Sequence, residues 1–348
     1  MAAIWELPDF DGHESVHFFT DEQTGLTAII SIHSTHLGPA AGGTRFWHYA
    51  NPQDAITDAL RLSRGMSYKN AMAGLAMGGG KAVILADAQG TKTAAIIDSF
   101  AHAVEGLGGR YVTAQDVGMS AADMIAIAQH TRHVSGLPVA AGMAGGDPGP
   151  STALGVFLGI KAAVHRKLGK ASVEGVRIAI QGVGSVGGGV ARHLAREGAS
   201  LVLADRDLEK AQALATELGG TAVDADEILR TEADVLSPCA LGAILNADTI
   251  PHLQCPIVAG AANNQLRTAA DGESLRARGI LYAPDYVINA GGIINVALEY
   301  LEKADQPSVE LKIRGIAAKL DAIWDEADAH NESPAAVADR MAKALIGR

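Results

Sequence analysis

The rhythm of apolar and polar positions changes several times along the 348 residues. Residues 25–33, "GLTAIISIH", are apolar and β-branched, which predicts a strand. Residues 52–72 change to a helical period: Pro52 suits a first turn, and Ile56, Ala59, Leu60, Ser63 and Met66 approximate one face. A short buried strand is expected at 81–87, a helix at 93–109 stopped by glycines, and a strand running into a loop at 109–118. Glycine and proline then cluster in "AAGMAGGDPGPST" (140–152), which reads as a linker or hinge. Beyond a helix over 152–169, short apolar runs at 176–180, 200–205, 233–239, 256–260 and 279–284 alternate with helical stretches at 184–198 and near 207–219. Strands alternating with helices predict βαβ units and a parallel sheet. The tail, 308–347, is helical, with Ile313, Ile316, Ala317, Leu320, Ile323, Trp324 and Ala327 on one stripe.

The fold class expected is α/β in two domains. The length suits two domains, and nearly half the residues are hydrophobic, enough for a real core. The net charge of −11, with no basic run, argues against nucleic acid as a partner. Cys239 and Cys255 match no metal or redox spacing and read as two buried thiols in a reducing compartment. The first fifteen residues lack the apolar stretch of a signal peptide, and no apolar run is long enough to span a membrane. A cytoplasmic location is expected.

The strongest chemical signal is "VRIAIQGVGSVGGGVARHLAREGASLVLADRD" (176–207). G-x-G-x-x-G falls on Gly182, Gly184 and Gly187, after an apolar strand and at the start of a helix. A second strand ends in Asp205, 23 residues beyond Gly182. That is the context of a dinucleotide-binding turn. Gly182 allows the tight turn, Gly184 lets the backbone approach a pyrophosphate, and Gly187 lets the helix sit on the strand. Ser185 and Val186 open the helix, whose N-terminus attracts the phosphates. Asp205 would accept from the ribose 2′-hydroxyl, which favours NAD. Arg206 beside it could meet a 2′-phosphate, which Asp205 would repel.

"AGLAMGGGKAVI" (73–84) invites a nucleotide-phosphate reading that fails. In G-x-x-x-x-G-K-[ST] the first glycine would fall on Leu75 and the hydroxyl on Ala82. The glycines fit another purpose. Lys69 and Lys81 lie in apolar, glycine-rich stretches, and a desolvated lysine has a lowered pKa and can act as a base. Asp116, at a strand end, could relay a proton.

Several longer blocks carry a resemblance: "GPAAGGTRF" (38–46), "SRGMSYKNAMAGLAMGGGKAVI" (63–84), "YVTAQDVG" (111–118), "GGDPGPSTALGV" (145–156), "PCALGAILN" (238–246), "AGAANNQL" (259–266) and "YAPDYVINAGGIINVALE" (282–299). In this order they resemble the glutamate, leucine, phenylalanine and valine dehydrogenase family. The resemblance implies NAD-dependent, reversible oxidative deamination of an L-amino acid to a 2-oxo acid and ammonia. It implies an N-terminal α/β substrate and oligomerisation domain over 1–145, with a helical return from about 330 to 348. A Rossmann-type domain over 146–330 would face it across a deep cleft, in a homo-oligomer.

By the same resemblance Lys69 binds the substrate carboxylate, Lys81 is the base that activates water, and Asp116 exchanges protons with the amino group. Gly42 and Gly43 line the carboxylate end. Asn263 lies near the substrate, and Asn264 and Asn289 near the nicotinamide ribose. Asn289 and Gly291 are expected in a loop closing the pocket, and Cys239 and Ala240 beside the cofactor. Glutamate enzymes of the family carry a lysine where this chain has Ala41 and a serine where it has Val296. A buried side-chain carboxylate would then lack a cation, so the substrate is apolar. Ala41, Ala114, Ile293 and Val296 are expected to form its pocket, which leaves branched aliphatic and aromatic substrates both open.

Two other readings stay in view. A 2-hydroxy-acid dehydrogenase would use a histidine as acid and base, and none of the twelve histidines sits in a convincing site. A non-catalytic NAD-binding protein would be expected to lack Lys81 or Asp116. Metal catalysis has no support in the spacing.

Overall fold

A computed structural model describes residues 3–348 and divides them into two units. The first runs to Asp147 and takes in Asn295–Gln306 and Ala342–Arg348. Its strands are β1 (Ser15–Asp21), β2 (Leu26–Ser34), β3 (Ala40–Trp47), β4 (Gly78–Leu85) and β5 (Tyr111–Gln115). Its helices are α1 (Pro52–Met72), between β3 and β4, α2 (Ala94–Glu105) and α3 (Ala121–Ile127). The sheet order is β1-β2-β4-β3-β5, antiparallel at β1–β2 and β2–β4 and parallel at β4–β3 and β3–β5. One face packs on α2 and α3 through Ile84, Phe100, Val104, Tyr111, Met124 and Ile127. The other packs on α1, where Ala55 and Ala59 meet Ile29 and Val83.

The position of β4 explains its composition. The expected strand at 81–87 starts earlier, at Gly78, so the three glycines lie inside the sheet. A Cβ on Gly79 would stand 2.0 Å from the backbone nitrogen of Ser67. Helix α1 therefore rests directly on the strand backbone, which only glycine permits. The buried face of α1 is correspondingly polar toward its C-terminal end. Ser63, Ser67 and Asn70 are buried, whereas Ile56 and Met66 of the expected stripe are only half-buried. Asn70 Nδ2 donates to Gly78 O at 2.5 Å, satisfying one carbonyl at the start of β4.

The last residues close this unit. Arg348 Nη2 donates to Gly12 O and to His33 O, each at 2.8 Å, and its Nη1 lies 2.8 Å from His33 Nε2. Burial and the Arg348 charge push His33 down to about 3, so its ring is neutral, and its Nδ1 pairs with Ser67 Oγ at 2.8 Å.

The second unit comprises Pro148–Ile294 and Pro307–Met341. It contains α4 (Gly149–Leu168), β6 (Arg177–Gln181), α5 (Ser185–Arg196), β7 (Ser200–Ala204), α6 (Leu208–Leu218), β8 (Thr221–Ala222), β9 (Val235–Pro238), β10 (Ile257–Val258), α7 (Ala269–Ala277), β11 (Leu281–Tyr282) and α8 (Asp285–Ile288). All strand pairs are parallel, in the order β11-β10-β9-β6-β7-β8. This is the doubly wound dinucleotide-binding order, with its topological switch between β6 and β9.

Three expectations change. The segment expected as a closing loop is largely helical: α8 ends at Ile288, Asn289 caps it, and α9 (Gly291–Glu302) follows. The apolar run of α9 buries Ile294, Val296, Ala297 and Leu298, which fixes it as a packed helix. The tail forms α10 (Gln306–His330) and α11 (Pro334–Leu345). It belongs mostly to the second unit, with only 342–348 in the first, because its stripe has a local partner: Trp324 is 1% exposed and donates to Tyr282 O at 2.9 Å. Residues 295–306 join the first unit, where Glu299 accepts from the backbone of Gly136 and Leu137. Cys255 is buried, but Cys239 is only half-buried, and both are free thiols. Among the described residues no helix is long and apolar enough to cross a membrane.

Gly79→Ala must push α1 off the sheet. We expect it to lower the melting temperature by roughly 5–10 °C, the effect of overpacking by about 2–3 kcal/mol. An unchanged melting curve would mean that the helix does not rest on the strand as described.

Candidate active site

Lys81 follows the three glycines on β4 and is 4% exposed. Its alternation with Gly79 and Val83 places it on the α1 side of the sheet. Its ammonium pairs with Asp116 Oδ2 just beyond the end of β5. Burial, the largest influence, drives the Lys81 pKa down. Asp116 opposes this, Arg45 adds to it, and the net shift is downward. Burial would raise the Asp116 carboxyl, but the Lys81 charge and hydrogen bond, the Val117 N–H at 2.6 Å and Arg45 hold it below its ordinary range.

The neighbouring strands fit around this pair. Ala41 is the register partner of Gly79, and Gly43 that of Ala114. A Cβ on Gly43 would lie 2.8 Å from Asp116 Cβ, so a side chain there would displace the carboxylate. The Gly42 carbonyl accepts from Tyr111 Oη at 2.6 Å. Lys69, half-buried near the end of α1, belongs to the same unit, as does Val296 on α9. The structure thus gathers Ala41, Gly42, Gly43, Lys69, Lys81, Ala114, Asp116 and Val296 in one unit. Ile293 belongs to the other.

In the second unit Gly182 ends β6 with φ +90°, and a Cβ there would lie 2.6 Å from Ala240 Cβ. A Cβ on Gly187 would lie 1.9 Å from the Gly182 carbonyl. Cys239 and Ala240, following β9, therefore stand against the turn. Gly184 differs, because a Cβ there meets nothing within 4 Å. Its bare backbone faces open space at the N-terminus of α5, which has no side-chain cap. A pyrophosphate suits such a position, since it accepts from free N–H groups. Ser185 and Val186 form the first turn there.

Asp205 Oδ2 accepts from Val183 N at 2.8 Å and Oδ1 from Asp207 N at 3.2 Å. Burial works to raise its pKa, but these backbone bonds prevail and keep it low. The carboxylate is thus oriented and ionised next to the turn, and Arg206 beside it is exposed. Asn289 Nδ2 donates to Asn263 Oδ1 at 2.7 Å and to Ala261 O at 3.0 Å, while its own Oδ1 is buried without a partner. Asn264 adopts φ +51°. Sequence reasoning missed Gln181. It lines a cavity of about 590 Å³ with Leu229, Leu241 and Ile244, and its Oε1 is buried and unpartnered. Among the described residues no cluster of three or more metal-binding side chains occurs.

Comparison with known proteins decides what this arrangement belongs to. The family described as Glu/Leu/Phe/Val dehydrogenase, dimerisation domain, matches residues 13–133, and Glutamate/Leucine/Phenylalanine/Valine dehydrogenase matches 203–344. The leucine dehydrogenase of Bacillus subtilis (strain 168) is 46% identical over 97% of this chain and 92% of its own length. The valine dehydrogenase of Streptomyces virginiae is 45% identical over 96% of this chain and 94% of its own. The chain belongs to the Glu/Leu/Phe/Val dehydrogenase family. Its fold matches the crystal structure of L-tryptophan dehydrogenase from Nostoc punctiforme with a TM-score of 0.85, at 42% identity, over 96% of each chain.

The Glu/Leu/Phe/Val dehydrogenase fold makes this an amino acid dehydrogenase, and the Lys81–Asp116 pair is the chemical feature of its first unit. The sequence reading also missed the other charges around that pair. Arg45 Nε lies 3.7 Å from Asp116 Oδ2, and Asp58 and Tyr49 complete the group. The signal was present in "GPAAGGTRF", since Arg45 alternates with Gly43 along β3. Its partner on α1 is visible only once strand and helix are packed.

The pair has a signed pH dependence. Because Asp116 titrates below its ordinary range, its stabilising effect is present above that range and is lost as pH falls through the folded value. Lys81 carries the opposite cost: its buried ammonium disfavours the folded state in full below its lowered folded value, and the cost shrinks as pH rises from there and is gone above the ordinary lysine value. Asp116→Asn should lower stability near neutral pH by about 1–3 kcal/mol. The deficit should close toward acid, where the native carboxylate is itself protonated, and toward alkali, where Lys81 is neutral. Denaturant unfolding across pH checks this, and a deficit independent of pH would contradict the pairing.

Proposed function

We propose that the protein catalyses the NAD-dependent, reversible oxidative deamination of an apolar L-amino acid, branched-chain or aromatic, to its 2-oxo acid and ammonia. The observation that carries this reading is Lys81: a lysine 4% exposed, with a lowered pKa and one carboxylate partner. Such a lysine gives up its proton more readily than an exposed one and is available as a base.

Each residue then takes a role. The Lys69 ammonium holds the substrate α-carboxylate, and the bare backbone at Gly42 and Gly43 leaves room for it. Asp116 exchanges a proton with the substrate amino group. Lys81 Nζ takes a proton from the water that adds to the imino carbon and later returns it as ammonia leaves. Bound NAD would supply the acceptor for the hydride that leaves the substrate Cα. Gly182, Gly184, Ser185, Val186 and Gly187 would hold its pyrophosphate, and Asp205 its ribose. Cys239, Ala240, Asn264 and Asn289 would lie along it, and Asn263 beside the substrate. The Gln181 cavity offers an acceptor for a base N–H. Asp205 favours NAD over NADP even with Arg206 adjacent, because a 2′-phosphate would face an ionised carboxylate.

The apolar substrate follows from Ala41 and Val296, both buried and without charge. With Ala114 of the same unit they provide no cation for a side-chain carboxylate. Assembly as a homo-oligomer is supported by the description of residues 13–133 as a dimerisation domain.

The test is NADH formation from each L-amino acid in turn, repeated with NADP, and ammonia-dependent NADH consumption with the matching 2-oxo acids. Turnover of leucine, valine, phenylalanine or tryptophan, with glutamate inactive, is expected. Lys81→Ala should lower kcat by about a thousandfold while NADH affinity stays near normal. Lys69→Ala should chiefly raise KM. Wild-type turnover of Lys81→Ala, or ammonia-independent reduction of the oxo acid, would overturn the proposal.

A further inference from the structure

Arg45 is held in an unusual way. Its Nη1 donates to Asp58 Oδ2 on α1 at 2.7 Å, and Tyr49 Oη donates to the same oxygen at 2.7 Å. The guanidinium is therefore anchored on one side. Its Nε is buried, has no hydrogen-bond partner among the described residues, and lies 3.7 Å from Asp116 Oδ2. That oxygen is the one that already accepts from Lys81 Nζ. One carboxylate oxygen thus sits between two cations. One is a lysine that can lose its proton; the other is an arginine that does not.

We propose that Arg45, tethered by Asp58 and Tyr49, is a positioning residue that holds a permanent second cation against Asp116, so that Lys81 can cycle between charged and neutral forms. The inference rests on the base role given to Lys81 above. When Lys81 is neutral, Asp116 would otherwise be left as an unpaired carboxylate in a largely buried position, which opposes the loss of the lysine proton. With Arg45 in place the carboxylate keeps a partner, and its spare Nε–H is one short movement away. The same positive charge works directly against the Lys81 ammonium, whereas the Asp58 charge favours it.

The charged surroundings of Lys81 are these. Asp116 follows β5, Arg45 stands on β3 with Tyr49 just after it, and Asp58 and Lys69 stand on α1. Tyr111 on β5 is occupied with the Gly42 carbonyl, and on β2 the register partner is Ser31. Removing the positive charge of Arg45 and removing the negative charge of Asp58 should therefore move Lys81 in opposite directions.

The experiment is the pH profile of kcat/KM for deamination by the protein and four variants. NADH binding and thermal melting serve as controls for folding. In Arg45→Met the acid limb should move up by about one pH unit, and in Asp58→Asn, which keeps an oxygen to accept from Arg45 and Tyr49 and loses only the charge, it should move down. Arg45→Lys, which keeps the charge, should restore most of the native profile. An Arg45→Met profile with an unmoved limb, or two limbs moving the same way, would overturn the proposal. If Arg45→Met does not fold, Arg45→Gln takes its place, and an unmoved limb in that variant overturns the proposal. Lys81→Ala separates the two levels. Turnover in that variant removes the base assignment itself, whereas an inactive Lys81→Ala with an unmoved Arg45→Met limb removes only the role of Arg45.

Discussion

A lysine side chain withdrawn from water behind three glycines of one strand is the constraint around which the first unit is arranged. Lys81 can be buried because Gly79 lets α1 rest on the strand backbone and Gly43 leaves space for Asp116. Burial in turn demands a carboxylate, and Asp116 stands just beyond the adjoining sheet edge to supply it. The placement of Gly43 and Gly79 fits that requirement. An ammonium in such a place without a partner would cost several kcal/mol or surrender its proton. The ion pair and the lowered lysine pKa are two consequences of one arrangement. It suits a base that gives up its proton more readily than an exposed lysine.

The second unit relies on backbone in another way. Gly182 and Gly187 are required by protein atoms that approach closely, but Gly184 is not. A glycine that the protein's own packing does not demand, at an uncapped helix N-terminus, is suited to a ligand that needs that space. Asp205 is ionised and oriented by backbone N–H groups, which places a fixed charge beside the turn.

How legible this was in the sequence differed between the two units. The dinucleotide turn could be read because its meaning is local: strand, glycines, helix, strand and acid follow one another along the chain. The parallel sheet followed from the same alternation. Strand β3 was not read as a strand, since its first four residues are Ala and Gly, which carry little strand preference, and its neighbours impose the extended form. The glycines before Lys81 marked an important place, yet their membership of β4 depends on α1 lying against them. Arg45, Asp58 and Tyr49 were invisible as a group, because they converge only through the packing of β3 on α1. The closing loop expected at Asn289 and Gly291 rested on the family resemblance and not on the local pattern. "GGIINVALEY" has the apolar density of a buried helix, and that is what it forms.

The most direct test of the account is the titration of Lys81 itself, followed by nitrogen-detected NMR of lysine side chains with Lys81→Arg used to assign the signal. The account predicts that the Lys81 amine loses its proton below the ordinary lysine value of 10.5. Titration at or above that value would show an ammonium stabilised by Asp116, and the lysine would then be a structural cation and not the base.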